Sequence, residues 1–215
     1  EVANELTNAG AQLIEMDVTS NQSVEAGVHK AIELLGGLDV VINNAGVGVS
    51  GMVEHFTPED MQKIFDINVV GVQRVNRAAL PFLRKQGKGT IIYISSLLGR
   101  FTLPFYGVYN ASKWALEALA ENYRTELSGF GIESCIVEPG GFPTTFNANL
   151  VTPSDDSRNE AYGDFMQAPI AAGQAFGEAL ENNKEQRPQK VADALADLLE
   201  QPFGERPFRT IVDYM

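Results

Sequence analysis

With 215 residues, 44% of them hydrophobic and 20% charged, the sequence has an ordinary globular composition and enough length for one domain with a sizeable core. Its net charge of −12 leaves no basic stripe for a phosphate backbone, which argues against nucleic-acid binding. No apolar run approaches the ~20 residues of a membrane span, and the opening stretch Glu1 to Leu6 has no signal-peptide pattern.

Strands and helices alternate along the chain, which predicts an α/β fold built on a parallel sheet. Ala11 to Asp17 (AQLIEMD) reads as a strand. Val24, Val28, Ile32 and Leu35 then recur at helical spacing, and Gly36-Gly37 ends that helix. Leu38 to Asn43 (LDVVIN) is the near-continuous apolar run of a strand covered on both faces. Thr57-Pro58-Glu59-Asp60 carries a cap, a first-turn proline and a capping-box acid. The helix it opens is expected to reach about Lys85, with a kink at Pro81.

Gly89 to Ser95 is the next strand, and a long helix follows from about Tyr109 to Ser128. Ile132 to Glu138 is a further strand, in which the single cysteine, Cys135, reads as a buried residue. One cysteine allows no intrachain disulfide and suits a reducing cytoplasm. Beyond Pro139 the pattern loosens for some thirty residues. Helices are expected near Ala168 to Glu181 and Pro188 to Glu200, and a last strand at Phe208 to Asp213. No repeat or linker interrupts the sequence, so residues 1–215 read as one domain.

Chemistry concentrates at strand ends. Tyr109 and Lys113 stand four residues apart at the start of the long helix, so phenol and ammonium share one face. A cation about 4 Å from the phenol, at an effective dielectric near 20, contributes roughly 4 kcal/mol. That is about three pKa units, enough to bring a phenol near neutrality. Such a pair alone is common on helix surfaces. Ser96, thirteen residues upstream at the carboxyl end of a strand, makes it informative, because open α/β sheets bind ligands there. Neighbouring Ser95 lacks the S-x-x-G pattern, and Tyr106 has Asn110, not a cation, four residues on.

Asn43-Asn44-Ala45-Gly46 ends another strand, where Gly46 lets backbone approach a ligand closely. Asn68 sits inside a helix, where asparagine is mildly disfavoured, and a kink holding a relay water is one reason for it. Pro139-Gly140-Gly141-Phe142-Pro143-Thr144 forms a rigid loop after a further strand. His29 and His55 read as solvent-facing or loop residues, and two histidines with one cysteine make a metal site improbable.

In order and spacing, Asp17-Val18, Asn43 to Gly46, Asn68, Ser96, Tyr109/Lys113 and Pro139 to Thr144 resemble the classical short-chain dehydrogenase/reductase family across the whole sequence. The resemblance implies a Rossmann-type doubly wound parallel sheet and an NAD(P)-dependent oxidoreductase acting on an alcohol or carbonyl. By position, it makes Tyr109 the general acid/base, and Lys113 the group that lowers its pKa and binds the nicotinamide ribose. Ser96 would orient the reacting oxygen and Asn68 hold the relay water. Asp17 would contact the adenine with Val18 as its backbone neighbour, and Asn44, Ala45 and Gly46 would lie at the adenosine-side ribose. Pro139, Gly140, Phe142 and Thr144 would meet the nicotinamide end. The stretches Arg187 to Ala192 and Arg206 to Arg209 are similar to hydroxysteroid/retinol dehydrogenase-like members.

The family's opening strand and its T-G-x-x-x-G-x-G turn do not occur here. The family strand order makes Ala11 to Asp17 the third strand and Leu38 to Asn43 the fourth, with the second and first between them. A β-α-β unit is therefore expected ahead of Glu1, and a chain lacking it is not expected to bind dinucleotide tightly. NAD versus NADP cannot be read from the residues present, with NADP the leaning.

Leu97, Leu98, Phe101 and Leu103, with Phe142, Phe146, Tyr162, Phe165 and Met166, predict a largely apolar substrate under a movable segment. A homodimer or homotetramer is implied by the resemblance, paired through the helices at Pro58 to Lys85 and Tyr109 to Ser128. Two other readings stay open. The intact Ser96/Tyr109/Lys113 set counts against an idle relative that senses dinucleotide or scaffolds partners. An epimerase or dehydratase of the same fold needs a larger C-terminal substrate domain.

Overall fold

The computed structural model describes residues 2–215. Four parallel strands form one sheet in the order β1 (Val40–Asn43), β2 (Gly89–Ile94), β3 (Ile132–Pro139) and β4 (Arg209–Val212). Val41 pairs with Ile91, Ile91 with Ser134, and Val137 with Thr210. Because every strand points the same way, their carboxyl ends and the loops that follow gather on one edge.

The helices are α1 (Val2–Asn8), α2 (Asn21–Leu35), α3 (Pro58–Phe65), α4 (Val72–Gln86), α5 (Gly107–Leu127), α6 (Thr145–Ala148), α7 (Asn159–Tyr162), α8 (Ala168–Asn182) and α9 (Gln189–Glu200). Alternating strand residues supply two cores. Ile91, Tyr93, Ile132 and Ile136 pack with Leu80 and Leu83 of α4 and Leu116 and Ala120 of α5. Ile92, Cys135 and Val137 on the opposite face pack with Val191, Leu195 and Leu198 of α9. This is the doubly wound α/β arrangement.

Two expectations are corrected and one is refined. Ala11 to Asp17 is not a strand: among the described residues it pairs with nothing, and with β1 least of all. A strand exists only through a partner's backbone, and the one neighbour expected for it, the second strand of the family order, is not among the strands of this sheet. The helix begun at Pro58 continues to Gln86, close to the expected end, but not as one regular α-helix. It widens into a π-helical turn at Asp66–Gly71 and resumes as α4, which accommodates Pro81 within it. Thr57 does cap α3 with Asp60, each side chain bonded to the other's backbone N–H at 3.1 and 3.0 Å. His55, read as a solvent-facing or loop residue, does stand in the loop after β1 but is 1% exposed, because Tyr162 closes over it with ring centroids 5.0 Å apart.

Candidate active site

Ser96 ends the β2 edge in extended backbone and caps a short turn over Leu97–Gly99, its Oγ accepting from the Leu98 N–H at 3.1 Å. Tyr109 and Lys113 lie on the first turns of α5, both buried. The entry to that helix is tightly fixed. Phe105 adopts φ 70°, unusual for a side-chain-bearing residue, and its carbonyl accepts from Gly51 N–H at 2.9 Å. At Gly107 a Cβ would fall 2.3 Å from the Val53 side chain, so any larger residue there has to displace Val53.

The Ser96 hydroxyl lies near enough to the Tyr109 phenol to favour its ionisation. The Lys113 Nζ lies 5.6 Å from the Tyr109 ring centroid and donates to the Ile94 carbonyl at 2.8 Å. Ser95, by contrast, turns its hydroxyl toward Gly99, 2.8 Å from where a Cβ there would sit. The Tyr109 phenol is not lowered toward neutrality, as its spacing from Lys113 suggested. Burial pushes it up to about 12, with the Ser96 hydroxyl opposing. Burial likewise pulls Lys113 down to about 8, against the pull of Glu117. Desolvation outweighs the Coulomb gain because the ammonium is itself dehydrated and spends a bond on Ile94.

Asn68 is 1% exposed and lies in the π-helical turn. Its Oδ1 accepts from Val47 N–H at 2.8 Å, and its Nδ2 donates to Val47 O at 2.9 Å and Ser112 Oγ at 3.0 Å. Ser112 donates in turn to the Tyr109 carbonyl at 2.8 Å. The side chain is thus a clamp between the loop after β1 and α5, and both donor hydrogens are already spent. Ser112 was missed from sequence, although it stands inside the Y-N-A-S-K stretch.

The remaining expected residues divide. Gly46 faces the site: a Cβ there would lie 3.3 Å from Asn68 Oδ1 and 3.8 Å from Lys113 Nζ. Asn44 and Ala45 are exposed beside it. Asn43 turns inward instead, donating to Asn76 at 3.0 Å, and Asn76 donates to the Tyr93 hydroxyl at 2.9 Å. Asp17 is exposed, and its Oδ1 accepts from the N–H and hydroxyl of Thr19 at 2.8 and 2.7 Å, which lowers its pKa. Val18 packs on Gly71 of the π-helical turn, and Arg74 fixes its carbonyl at 3.0 Å.

After β3, Gly140 and Gly141 are required by close packing. A Cβ would fall 2.2 Å from Asp213 Oδ1 at the first and 2.3 Å from the Phe176 ring at the second. Pro139 is half-buried, and Thr144 is exposed, capping α6 by accepting from Phe146 N–H at 3.3 Å. Phe142 does not offer its ring to a ligand. It is 8% exposed and packs with Ile92, Val137 and Leu198, leaving only its backbone at the edge. Gln186, fully buried, donates to Gly141 O and to Asp213 Oδ1 and ties this loop to the end of β4. Nothing in the local sequence pattern marked it.

The loop after β3 folds back over the loop after β1, with Ser50 N–H and Val151 N–H bonding to Val151 O and Gly48 O at 3.0 and 2.9 Å. That closure sets the Phe146 ring 5.9 Å from Tyr109 and Leu150 over Gly48. Further out, a cleft of about 310 Å³ opens between Tyr106, Asn147 and Leu150 on one side and Ile170, Gln174 and Phe176 of α8 on the other.

Residues 1–155 match the family model described as short chain dehydrogenase. The chain belongs to the short-chain dehydrogenase family. It is 39% identical over 153 residues to the 3-ketodihydrosphingosine reductase of Bacteroides thetaiotaomicron, covering 71% of this chain and 57% of that one. It is 31% identical over 195 residues to human 17-beta-hydroxysteroid dehydrogenase type 1, covering 89% of this chain and 57% of that one. The chain therefore spans a little over half the length of these curated relatives. Among solved structures, a short chain dehydrogenase/reductase from Burkholderia phymatum in complex with NAD superposes with a TM-score of 0.78 at 25% identity, covering 97% of this chain and 73% of the other. An alcohol dehydrogenase from Thermococcus sibiricus, complexed with 5-hydroxy-NADP, gives a TM-score of 0.70 at 25% identity, covering 92% and 72%.

Proposed function

We propose that the protein transfers a hydride between NAD(P)(H) and a largely apolar alcohol or ketone, with Ser96, Tyr109 and Lys113 handling the oxygen and its proton. The observation that carries this is the burial of a serine hydroxyl, a phenol and an ammonium together at the sheet's carboxyl edge. The residues fit a nicotinamide dinucleotide. Gly46 leaves bare backbone beside the Lys113 ammonium, and Lys113 has two N–H groups beyond the one given to Ile94. Lys113 and Tyr109 would hold the nicotinamide ribose, and Asn44, Ala45 and Gly46 the adenosine side. Asp17 with Val18 would meet the adenine, and Pro139, Gly140, Thr144 and the Phe142 backbone the carboxamide. When bound, the dinucleotide supplies or accepts the hydride.

In the reducing direction the protonated phenol of Tyr109 donates its proton to the carbonyl oxygen, while the Ser96 hydroxyl holds that oxygen in line. Asn68 acts by keeping the loop after β1 against α5. Phe146, Leu150 and Leu98 exclude water around the phenol, which favours an apolar substrate. The names of two relatives, a ketodihydrosphingosine reductase and a hydroxysteroid dehydrogenase, fit that reading. Oxidation of NADH and NADPH by the whole protein, followed with aliphatic and aromatic ketones beside small sugars and polyols, is the test. No turnover with either dinucleotide overturns the reaction class, and a kcat/KM far higher for sugars overturns the apolar substrate. A homodimer or homotetramer through α4 and α5 belongs to the same reading, and sedimentation as a strict monomer refutes it.

A further inference from the structure

One turn behind Lys113 lies a second buried charge cluster that the proposed chemistry does not use. Glu117 follows Lys113 by four residues on α5 and is 5% exposed, while Glu138 on β3 is 1% exposed. Between them stands a single cation. The Nε of Arg209, on β4, lies 3.0 Å from Glu117 Oε2 and 3.3 Å from Glu138 Oε1. Its other arm reaches Glu121 Oε2, at the surface, at 3.2 Å. The Oε1 atoms of Glu117 and Glu138 are both buried without a hydrogen-bond partner, the Arg209 Nε being badly aligned for the latter.

Two buried carboxylates share one cation within ion-pair distance, with Arg100 and Lys113 standing farther off, and so hold an excess negative charge in a poorly solvated space. Neighbouring carboxyls relieve this by keeping one of the two protonated. A proton shared between the two side chains, which lie close enough to interact, also supplies a partner where acceptors are otherwise orphaned. We propose that Glu138 stays a neutral acid, donates its proton to Glu117, and leaves Glu117 with the negative charge that keeps Lys113 an ammonium.

The surroundings agree. Burial, then the charge of Glu117, pushes the Glu138 carboxyl above its ordinary range, against Arg100 and Arg209. Glu117 opposes the burial that drags Lys113 down. The groups facing the pair are Lys113 and Glu121 from α5, Arg209 from β4, Arg100 from the turn after β2, and the neutral Ser95 hydroxyl beside Gly99. Glu117 and Glu138 are therefore positioning residues, acting through Lys113. The consequence for turnover rests on the role proposed for Lys113, whereas the shared proton does not.

Infrared spectroscopy of the whole protein at neutral pH reads the proton directly. The wild type is expected to show the carbonyl stretch of a protonated carboxyl. Glu138→Gln removes it, and Glu117→Gln removes or shifts it, because Glu138 then ionises against Arg209. No such band in the wild type, or a band untouched by either substitution, overturns the proposal. The wild-type band, present at neutral pH and bleached only by alkali, keeps the test decisive if a variant fails to fold. In turnover, Glu117→Gln is expected to move the alkaline limb of the kcat profile to lower pH by about one unit. A uniform drop with no movement of that limb marks a merely structural role and overturns the coupling to Lys113. An inactive wild type with the band present speaks against the proposed function and leaves the carboxyl pair standing.

Discussion

Tyr109 is a phenol in a nearly dry pocket, and its chemistry follows from what surrounds one oxygen. Burial holds its pKa near 12, so at neutral pH it carries the proton a carbonyl reduction consumes. Tyr109→Phe deletes that proton and its oxygen but keeps the ring that packs on Phe146. Turnover should fall by about 10²–10⁴-fold, while dinucleotide still binds through Lys113 and the melting temperature stays close to wild type. Near-normal kcat in steady-state assays would dissolve the acid role. Gly46 answers a different question at the same scale. Its missing side chain is the space beside Asn68 and Lys113, so Gly46→Val should weaken dinucleotide binding in fluorescence titrations. Unchanged affinity would place the ribose elsewhere.

The π-helical turn at Asp66–Gly71 gives the site its internal brace. By widening the helix for one turn, it aims Asn68 at Val47 and Ser112, while Arg74 pins the turn's start through Asp66 Oδ1 at 2.7 Å. Asn68→Ala leaves the Val47 N–H and C=O without these partners, at about 1–3 kcal/mol for each group left unsatisfied. A lower melting temperature and faster hydrogen exchange at the Val47 amide are the expected readings, and protection equal to wild type would refute the clamp. Asn68, out of place in a regular helix, hints at a kink here, but an i→i+5 turn has no compositional signature that would name it. What sequence does carry is local. The apolar runs that became β1 to β3, and the Tyr109/Lys113 spacing on α5, depend on period and on strand ends. Ala11 to Asp17 misled because Leu13, Ile14 and Met16 satisfy a strand pattern, whereas pairing is set by distant chain. The same limit hid the buried side of Phe142, decided by α9, and the contact of Glu138 with Arg209, 71 residues on.

Across the whole molecule, acid and alkali act on different groups with opposite sign. Asp60 is held down at about 2, first by the Ser154 hydroxyl at 2.6 Å and then by the backbone N–H groups of Ser154 and Thr57. A carboxylate depressed in the folded state stabilises fully above its unfolded value, 3.8 here, and that contribution disappears as pH falls through the folded one. Glu54, bonded by the Tyr162 hydroxyl, and Asp155, bonded by Ser157, are shifted the same way, but Glu54 is exposed and Asp155 partly so, and both are screened. Asp60 and Glu54 anchor the segment 153–162 that covers His55 from outside it, and Asp155 braces it from within. Acid should therefore loosen this segment before the sheet, read as proteolytic cutting within 153–162 while far-ultraviolet circular dichroism is still native. Glu138 runs the other way: its raised pKa favours the fold at low pH, and that share is lost as pH rises from 4.5 through the folded value. Melting temperature against pH should then lose its acid limb in Asp60→Asn, which is less stable than wild type at neutral pH. Glu138→Gln should keep the acid limb and flatten the decline on the alkaline side. Identical pH profiles for the two variants would mean that neither carboxyl governs its limb.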